Sequence, residues 1–510
     1  MTAPDHDVVI IGAGVAGIGI AVHLQDRHPD KSYVILDRRE EIGGTWDLFR
    51  YPGIRSDSDL HTYAFTFKPW TSEEALADGP SIMRYLEEAV AEHDIRRRVR
   101  FGHSVLEAHW SSEEARWTIV AERADGERVQ MTARWLVSGA GYFRYDRGYT
   151  PEIPGLEQFD GTAVHPLNWP EDLDYAGKRV VIVGSGATAV TMVPAMSRNA
   201  AHVTMLQRTP TYMMTLPATD SIYRAAKRLF GPARAHRITR RKNLIRDDVS
   251  YRLIRRFPKR SSKIFRSLVA RELPDGYDVD THFNPPYDPW DQRVCAVLDG
   301  DLFEAVSAGR ASVVTDQIKE VTRSGILLES GATLEADIIV TATGLDLIPM
   351  GGVEYTVDDR LVDLGETVAY KSMMLSGMPN FAYIFGYTNA SWTLKVNFVA
   401  EHLCRLLSLM DERDYDFAVP ERPDPALPTA PLFDLTAGYI LRAVDRFPKQ
   451  GAVAPWLAKM DYVYDRKVLV EGPVGDHLRF GREAPEGAGP PERLDNPEGA
   501  RAAPSAVSGD

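Results

Sequence analysis

Cysteine is scarce in this chain of 510 residues, which contains only Cys295 and Cys404. The two lie far apart and form no C-x-x-C pair, so neither a disulfide framework nor a dithiol redox centre is expected. The sequence also lacks the basic and apolar regions of a signal peptide at its start, and it has no apolar run long enough to span a bilayer. These absences predict a cytoplasmic protein without a membrane span.

Basic residues are in deficit, because 59 Lys and Arg stand against 72 Asp and Glu and the formal net charge is −13. Phosphate recognition needs a basic surface, so this balance argues against a nucleic-acid partner. Residues 221–271 are the exception, with 17 Lys or Arg against Asp247 and Asp248. Their apolar positions predict amphipathic helices with a solvated basic face. Peripheral contact with an anionic membrane surface, or a charged substrate channel, is the alternative.

The length predicts two or three domains, and the first opens with an apolar run at 8–11, the motif G-A-G-V-A-G at 12–17 and a helix-like stretch. This order is typical of a dinucleotide-binding fold, in which Gly12 permits a tight turn, Gly14 lets the backbone approach a pyrophosphate, and Gly17 lets helix and strand pack closely. A second strand ends at Asp37, whose carboxylate is placed to accept hydrogen bonds from an adenosine ribose. A glycine-rich turn that binds nothing is the alternative.

The loop at 41–59 combines glycines, aromatic side chains and the triplet Arg55, Ser56 and Asp57. Its large aromatic side chains, among them Trp46, would be unfavourable to leave exposed, and its paired glycines allow close backbone approach to a ligand. Such surroundings suit an isoalloxazine ring, and a loop packed under its neighbours is the alternative. Val105, at the end of a strand-like segment, is a candidate edge for the adenine.

A second glycine motif, G-S-G-A-T-A at 184–189, again follows an apolar strand and precedes a helix, with Ala189 as the third small residue. Its second strand ends in Gln207, Arg208 and Thr209, without a carboxylate. An arginine there can pair with a 2′-phosphate that an aspartate would repel, so this site is predicted to bind NADP. A surface arginine without a ligand is the alternative for Arg208 alone.

Between the two motifs lies the stretch F-x-G-x-x-x-H-x-x-x-W-P, formed by Phe159, Gly161, His165, Trp169 and Pro170. Its fixed spacing differs from the Ser-, Gly- and Pro-rich connectors found where nothing must be held in place. We therefore expect an ordered linker between two nucleotide-binding halves. A satisfied core histidine is the alternative for His165.

The two glycine motifs, the A-T-G sequence at 342–344 that closes a later strand, and the linker together resemble the class B flavoprotein monooxygenases. The Trp-Pro ending of the linker is similar to that of the type I Baeyer–Villiger monooxygenases. The stretches G-G-T-W, R-Y-P-G-I-R-S-D-S-D, N-P-P-Y-D-P-W-D-Q-R, S-W-T-L-K and R-F-P-K-Q-G resemble the subgroup that includes the mycobacterial ethionamide-activating monooxygenase. The resemblance extends from residue 8 to about residue 470.

This resemblance implies an α/β fold with two Rossmann-like dinucleotide-binding domains, for FAD and NADP, and a helical insertion. The FAD domain would comprise residues 1–145 and 345–482, and the NADP domain residues 146–215 and 295–344. Residues 216–294 would form the mostly helical insertion. A tail at 483–510, rich in Pro, Gly, Ala and charge, is predicted to be disordered.

The resemblance also implies roles for individual residues. Arg293 matches the catalytic arginine and Asp57 its carboxylate partner, while His165 and the linker match a segment that moves between domains. Implied FAD ligands are Gly12, Gly14, Val15, Gly17, Asp37, Gly44, Thr45, Trp46, Asp57 and Val105. Implied NADPH ligands are Arg55, Ser56, Asp57, Gly184, Ser185, Gly186, Ala187, Thr188, Ala189, Arg208 and Thr209. No metal site is predicted.

The implied activity is an NADPH- and dioxygen-dependent conversion of small ketones to esters or lactones through a flavin peroxide. Oxygenation of small thio- or amino-compounds at sulfur or nitrogen is the alternative within the same chemistry. A pyridine-nucleotide disulfide reductase shares the two-motif layout but needs a paired C-x-x-C, and a catalytically silent flavoprotein would have no need for Arg208 or Arg293. Gln292 stands where many relatives have lysine, which bears on how the nicotinamide is oriented.

Overall fold

The computed structural model describes residues 3–422, 424–433 and 435–482. The tail predicted to be disordered, 483–510, lies outside the described residues. No helix in the described ranges combines the length and the apolar character needed to cross a membrane.

The helices of the described chain are α1 Val15–Arg27, α2 Thr45–Leu48, α3 Leu60–Tyr63, α4 Gly79–Glu92, α5 Ala187–Met196, α6 Ser221–Phe230, α7 Pro232–Arg256, α8 Pro258–Glu272, α9 Val279–Phe283, α10 Asp301–Ser307, α11 Trp392–Arg413, α12 Gly438–Leu441 and α13 Tyr462–Asp465. Short 3-10 turns lie at Arg96–Arg98, Leu156–Gln158, Pro166–Asn168, Pro349–Gly352, Leu364–Glu366 and Val444–Arg446, and a π-helical turn lies at Arg466–Glu471.

The strands are β1 His6–Ile11, β2 Tyr33–Leu36, β3 Val99–Arg100, β4 His103–Ser111, β5 Arg116–Arg123, β6 Arg128–Ser138, β7 Phe143–Gly148, β8 Thr162–Val164, β9 Arg179–Val183, β10 His202–Gln207, β11 Met213–Leu216, β12 Cys295–Leu298, β13 Ala311–Thr315 and β14 Ile318–Thr322. They continue as β15 Gly325–Leu328, β16 Thr333–Glu335, β17 Ile338–Thr341, β18 Leu345–Leu347, β19 Glu354–Val357, β20 Arg360–Leu361, β21 Ala369–Tyr370, β22 Met374–Leu375, β23 Phe381–Tyr383, β24 Phe417–Pro420, β25 Thr429–Pro431, β26 Lys449–Gly451 and β27 Leu478–Gly481.

The first and larger sheet has the order β20-β19-β4-β5-β6-β1-β2-β3, with β23 also paired to β6. Strands β6, β1, β2 and β3 run parallel, whereas β4, β5 and β6 form an antiparallel meander. Successive side chains of β1 enter different cores, since Val8 and Ile10 pack on one face and Val9 and Ile11 on the other. Both faces are covered, as in other parallel sheets with helical crossovers.

The second sheet is parallel throughout, in the order β13-β10-β9-β17-β8. Helix α5 follows β9 and buries Val190 and Val193 against the sheet. One of its two edge strands, β8, comes from the linker predicted at 159–170. The linker is therefore more than a connector, because its residues 162–164 pair with β17 and extend this sheet.

The chain passes between the two sheets twice. After β6 it crosses in β7, and after β17 it returns in β18, and these two strands pair antiparallel. Along the chain, helices α6 to α9 are inserted between β11 and β12, and these two strands pair with each other in parallel. Two Rossmann-like sheets and the helices inserted between β11 and β12 confirm the predicted α/β fold class.

Candidate active site

One cavity of about 1230 Å³ is lined by both glycine turns. It lies where β1, β2, β9 and β10 end, which is the edge at which parallel sheets of this type bind ligands. Its volume exceeds the roughly 300–1,000 Å³ of a pocket for one small molecule. The cavity is thus larger than a site for one small molecule.

The first turn depends on glycine at two positions for different reasons. Gly12 has a φ of +96°, which L side chains rarely adopt. A Cβ on Gly17 would lie 1.9 Å from the carbonyl oxygen of Gly12, so helix α1 can approach β1 only because position 17 has no side chain. Gly14 and Val15 line the cavity directly, whereas Gly17 lies behind the turn.

Asp37 follows β2 and is held in place by two backbone hydrogen bonds. Its carboxylate accepts hydrogen bonds from the backbone N–H groups of Ala13, at 2.6 Å, and Arg39, at 2.8 Å. The side chain is 7% exposed and lines the cavity. Burial raises the pKa of this carboxyl, although the two N–H groups act in the opposite direction.

The loop at 41–59, called the aromatic loop below, packs over the first glycine turn. The indole N–H of Trp46 donates to the hydroxyl of Tyr63 at 2.7 Å, and the hydroxyls of Thr45 and Tyr145 are 2.9 Å apart. These contacts fix the loop that carries Gly44, which has a φ of +57°. The same cavity is lined by Gly44, Thr45, Trp46 and Val105.

The second turn is more open. Gly184 has a φ of +141°, and a Cβ there would lie 2.3 Å from the carbonyl oxygen of Ala342. At Gly186 a Cβ would meet no atom within 4 Å. Ser185 donates to the carbonyl of Thr209 at 3.1 Å, which ties the turn to the end of β10. The turn therefore leaves free space next to the backbone of Gly186.

The other predicted residues of the second site fall into two groups. Ala187, Thr188, Arg208 and Thr209 line the cavity. Arg208 is exposed, and no carboxylate of the described chain lies within ion-pair distance of it. Ala189 is fully buried in α5 and acts through packing, as Gly17 does in the first turn.

Arg293 lies in the loop before β12 and meets Asp57 inside the cavity. Its Nη1 donates to Oδ2 of Asp57 at 3.0 Å, while its Nε is buried without a partner among the described residues. Its side chain is 34% exposed, and this surface belongs to the cavity that it lines. Burial alone would lower the pKa of Arg293, but Tyr439 and Asp57 outweigh it and the pKa is raised.

The neighbours of Asp57 are engaged elsewhere. Arg55 forms a two-pronged ion pair with Asp301, at 2.6 and 3.3 Å, and so joins the aromatic loop to helix α10. Ser56 is buried and donates to the carbonyl of Ser58 at 2.8 Å. Both line the cavity. The charge of Arg55 is neutralised by Asp301, and no local pattern in the sequence indicated this partner.

The linker residues contact the crossings between the sheets rather than the cavity. His165 Nε2 lies 3.1 Å from the carbonyl oxygen of Gly344, and His165 Nδ1 accepts the N–H of Leu167. This pattern fits a neutral ring, and burial lowers the pKa of His165. A Cβ on Gly148 would lie 2.0 Å from the His165 ring. The ring thus packs on β7 and binds the backbone just before β18.

The other linker residues explain the fixed spacing. A Cβ on Gly161 would lie 2.4 Å from the carbonyl oxygen of Asp337 and 2.6 Å from the ring of Phe159. Phe159 and Trp169 pack against the two cores of the second sheet. The N–H of Leu173 donates to the carbonyl of Pro170. The motif therefore anchors the edge strand β8 and places His165 at the crossing.

Several cavity residues were not singled out from the sequence. They are Tyr142, Tyr145, Tyr149, Tyr439 and Arg442. The Gly- and Tyr-rich composition of residues 139–154 was a visible signal for the first three. Arg442 lies 3.4 Å above the ring of Tyr149, close to Gly344, and nothing local in the sequence indicated this contact.

Comparison with known proteins identifies the family. A model of the pyridine nucleotide-disulphide oxidoreductases matches residues 9–221, although both cysteines of this chain are free and buried. The FAD-containing monooxygenase EthA of Mycolicibacterium smegmatis is 51% identical over 464 residues, which cover 91% of this chain and 94% of that protein.

Solved structures share the fold at low identity. A steroid monooxygenase bound to NADP matches with a TM-score of 0.73 and 22% identity, over 91% of this chain and 97% of that one. A crystal structure of OTEMO in complex with FAD and NADP matches with a TM-score of 0.67 and 21% identity, over 82% of this chain and 87% of that one. By its identity to EthA over most of its length, this chain belongs to the family of FAD-containing monooxygenases.

Proposed function

We propose that this chain is an NADPH- and dioxygen-dependent monooxygenase that converts ketones to esters or lactones by Baeyer–Villiger oxidation. The observation that carries the proposal is the ion pair between Arg293 and Asp57 inside a cavity lined by two glycine turns. In the overall reaction one oxygen atom of dioxygen is inserted beside the ketone carbonyl and the other leaves as water. NADPH supplies two electrons, and one further proton is consumed.

The first turn fits FAD. Asp37 is fixed by two N–H groups and keeps free lone pairs for ribose hydroxyls, and the absence of a side chain at Gly14 leaves the backbone accessible to a pyrophosphate. The proposed FAD-binding residues are Gly12, Gly14, Val15, Gly17, Asp37, Gly44, Thr45, Trp46, Asp57 and Val105.

The second turn fits NADPH. A side chain at Gly186 would project into open space that a phosphate needs, and the exposed Arg208 can pair with a 2′-phosphate. The proposed NADPH-binding residues are Arg55, Ser56, Asp57, Gly184, Ser185, Gly186, Ala187, Thr188, Ala189, Arg208 and Thr209.

Reduced FAD, when bound, supplies the electrons that activate dioxygen. The guanidinium of Arg293 is the group of this chain that stabilises negative charge on the oxygen of a ketone as it reacts, because a fixed charged donor in a partly dehydrated site needs little reorganisation. Its Nη1 is held by Asp57, and its Nε has no partner in the described chain. Asp57 offsets the positive charge of Arg293 inside the cavity.

The test is the variant Arg293→Ala. It is expected to retain FAD and to oxidise NADPH while releasing hydrogen peroxide, and to lose ester formation by about 100-fold or more, the effect of removing a fixed donor from an oxyanion site. Ester and peroxide are measured together, with cyclohexanone and phenylacetone as ketones and a thioether as the rival substrate. Retained ester formation would remove Arg293 from the reaction. Sulfoxide without any ester would favour sulfur oxygenation.

A matched control is Arg266→Ala. Arg266 forms an ion pair with Asp280 at 2.6 Å on the outer surface and does not line the cavity. Its loss removes an arginine–aspartate pair of the same kind without touching the proposed site, so ester formation should be unchanged.

A further inference from the structure

The outer surface of α6, α7 and α8 exposes large apolar side chains to an unusual degree. In the described chain 14 large hydrophobic residues are exposed, and ten of them lie on this stretch. They are Ile222, Leu229, Phe230, Ile238, Ile245, Val249, Leu253, Phe257, Ile264 and Leu268. Single exposed apolar residues are normal in soluble proteins, whereas a concentration of them on consecutive elements marks an interaction surface.

Helix α7 has two distinct faces. Ile238, Ile245, Val249 and Leu253 follow one another at intervals of seven, four and four residues, which places them on one side of the helix. The opposite side buries His236, Thr239 and Asn243 against the protein. The exposed stripe therefore points away from the core and is not an incompletely covered core face.

The same helix forms part of the cavity wall. Tyr251 and Ile254 line the cavity from α7, and Phe265 lines it from α8. Exposed apolar residues and cavity-lining residues thus alternate along one helix, and α7 lies between the outer surface and the candidate active site.

The charge of this surface is opposite to that of the rest of the chain. Residues 221–271 contain 17 basic and two acidic side chains, a net charge of +15 in a chain whose net charge is −13. Six of the basic side chains form ion pairs with carboxylates. Arg240 donates to the backbone carbonyls of His61, Thr62 and Ala64. The other ten have no carboxylate partner within the described ranges, namely Arg224, Arg228, Arg234, Arg237, Arg241, Arg256, Lys259, Arg260, Lys263 and Arg271.

The combination of exposed apolar side chains and exposed basic side chains distinguishes a nucleic acid from a lipid bilayer as the partner of this surface. A nucleic acid would pair with the cations but would leave the exposed aliphatic side chains in water. An anionic bilayer satisfies both, since its acyl boundary takes the apolar side chains and its phosphates take the arginines and lysines. We propose that α6, α7 and α8 bind the surface of an anionic lipid bilayer and hold the cavity wall that α7 forms against it. An apolar molecule leaving the bilayer would then meet α7 first.

The experiment uses the full-length protein with FAD bound and sucrose-loaded vesicles. One set is pure phosphatidylcholine and the other contains about one-third phosphatidylglycerol, the anionic component. The protein should sediment with the anionic vesicles and not with the neutral ones, and binding should weaken as salt rises from about 0.1 M to about 0.5 M. Failure to bind anionic vesicles, or equal binding to neutral ones, would overturn the proposal.

Two variants test the surface itself. The charge variant carries Arg256→Glu, Lys259→Glu, Arg260→Glu and Lys263→Glu, and its vesicle partition coefficient should fall by at least about ten-fold. The apolar variant carries Leu229→Ser, Ile245→Ser and Leu253→Ser, and its binding should fall even at low salt. Bound flavin and the melting temperature show whether each variant is folded. The salt series on the unaltered protein decides the matter if a variant is not.

The matched control is Arg360→Glu with Leu361→Ser on β20. This pair is also one exposed cation beside one exposed leucine, the latter 67% exposed, but it lies on the first sheet. Control variants that lose as much binding as the surface variants would overturn the assignment to α6–α8. The unaltered protein could instead form a dimer that dissociates in the surface variants, and fail to bind vesicles. That result would assign this face to a second copy of the chain.

Discussion

The turns after β1 and after β9 share a backbone plan but differ in their surroundings. In the first, Gly17 packs against the backbone of Gly12, and Asp37 is buried and already hydrogen-bonded. In the second, Gly186 faces open space and Arg208 is exposed. The first site is pre-organised and enclosed, which favours a ligand that stays bound, whereas the second is open, which favours one that exchanges. This contrast fits resident FAD and exchanging NADPH.

The largest expected effect comes from adding one methyl group to each turn. Gly17→Ala places a Cβ 1.9 Å from the carbonyl oxygen of Gly12, so α1 must move and most of the bound flavin should be lost. Gly186→Ala meets no protein atom within 4 Å and should leave fold and flavin intact while raising the KM for NADPH. The measurements are the flavin-to-protein ratio and steady-state kinetics. An unchanged KM in Gly186→Ala would contradict the proposed phosphate site.

A smaller effect is expected from Arg208→Ala, which removes the proposed partner of the 2′-phosphate. A charge-assisted hydrogen bond contributes about 1.5–3 kcal/mol, so the KM for NADPH should rise by roughly 10- to 100-fold. The KM for NADH should change little, because NADH lacks that phosphate. Arg198→Ala, at another exposed arginine near the end of α5, is the control. Equal effects on both nucleotides would show that Arg208 does not read the phosphate.

The link between the two regions is tested by His165→Ala. The ring binds the backbone of Gly344 and packs on Gly148, at the crossings between the sheets. We expect FAD to remain bound while flavin reduction slows severalfold or more NADPH is consumed per ester formed. His202→Ala, which removes a contact to Ser312 inside the second sheet, should leave this coupling unchanged. Normal coupling in His165→Ala would reduce His165 to a packing residue.

The smallest expected effect is a loss of folding stability at acid pH, caused by two buried histidines outside the two glycine turns. His61 of α3 and His236 of α7 are buried, and burial lowers the pKa of each to about 4. The unfolded chain takes up protons near the ordinary pKa of about 6.5 while the folded chain does not. The stability that these neutral rings contribute is complete above pH 6.5 and is lost as the pH falls towards 4.

This acid effect is measured as the melting temperature between pH 7 and pH 4.5. The melting temperature of the unaltered protein should fall by several degrees over this range. The melting temperature of a variant with His61→Gln and His236→Gln should fall by less. His282→Gln is the comparison on the side of the second sheet, where burial also lowers the pKa of the histidine. A double variant with the same pH profile as the unaltered protein would contradict the assignment.

The sequence by itself determined the parts that lie within one strand, turn and helix. Gly12, Gly14, Gly17 and Asp37 belong to one such unit, and the second motif with Arg208 belongs to another, so their spacing predicts their positions. Amphipathic helices at 221–271 were likewise predicted, since charge and apolar spacing are local properties. The proposed catalytic pair was expected only through resemblance, because Arg293 and Asp57 are 236 residues apart.

Tertiary structure decided what depends on long-range pairing. The linker became the edge strand β8 because β17, more than 170 residues later in the chain, offers it a partner. Arg55 is neutralised by Asp301, which no local pattern indicates. The sequence of α7 shows which side of the helix is apolar but not which side is covered by the rest of the protein. Only the packing of α7 against the rest of the protein shows that its apolar stripe is exposed. Local spacing thus determined the turns, and packing between distant segments decided how they meet.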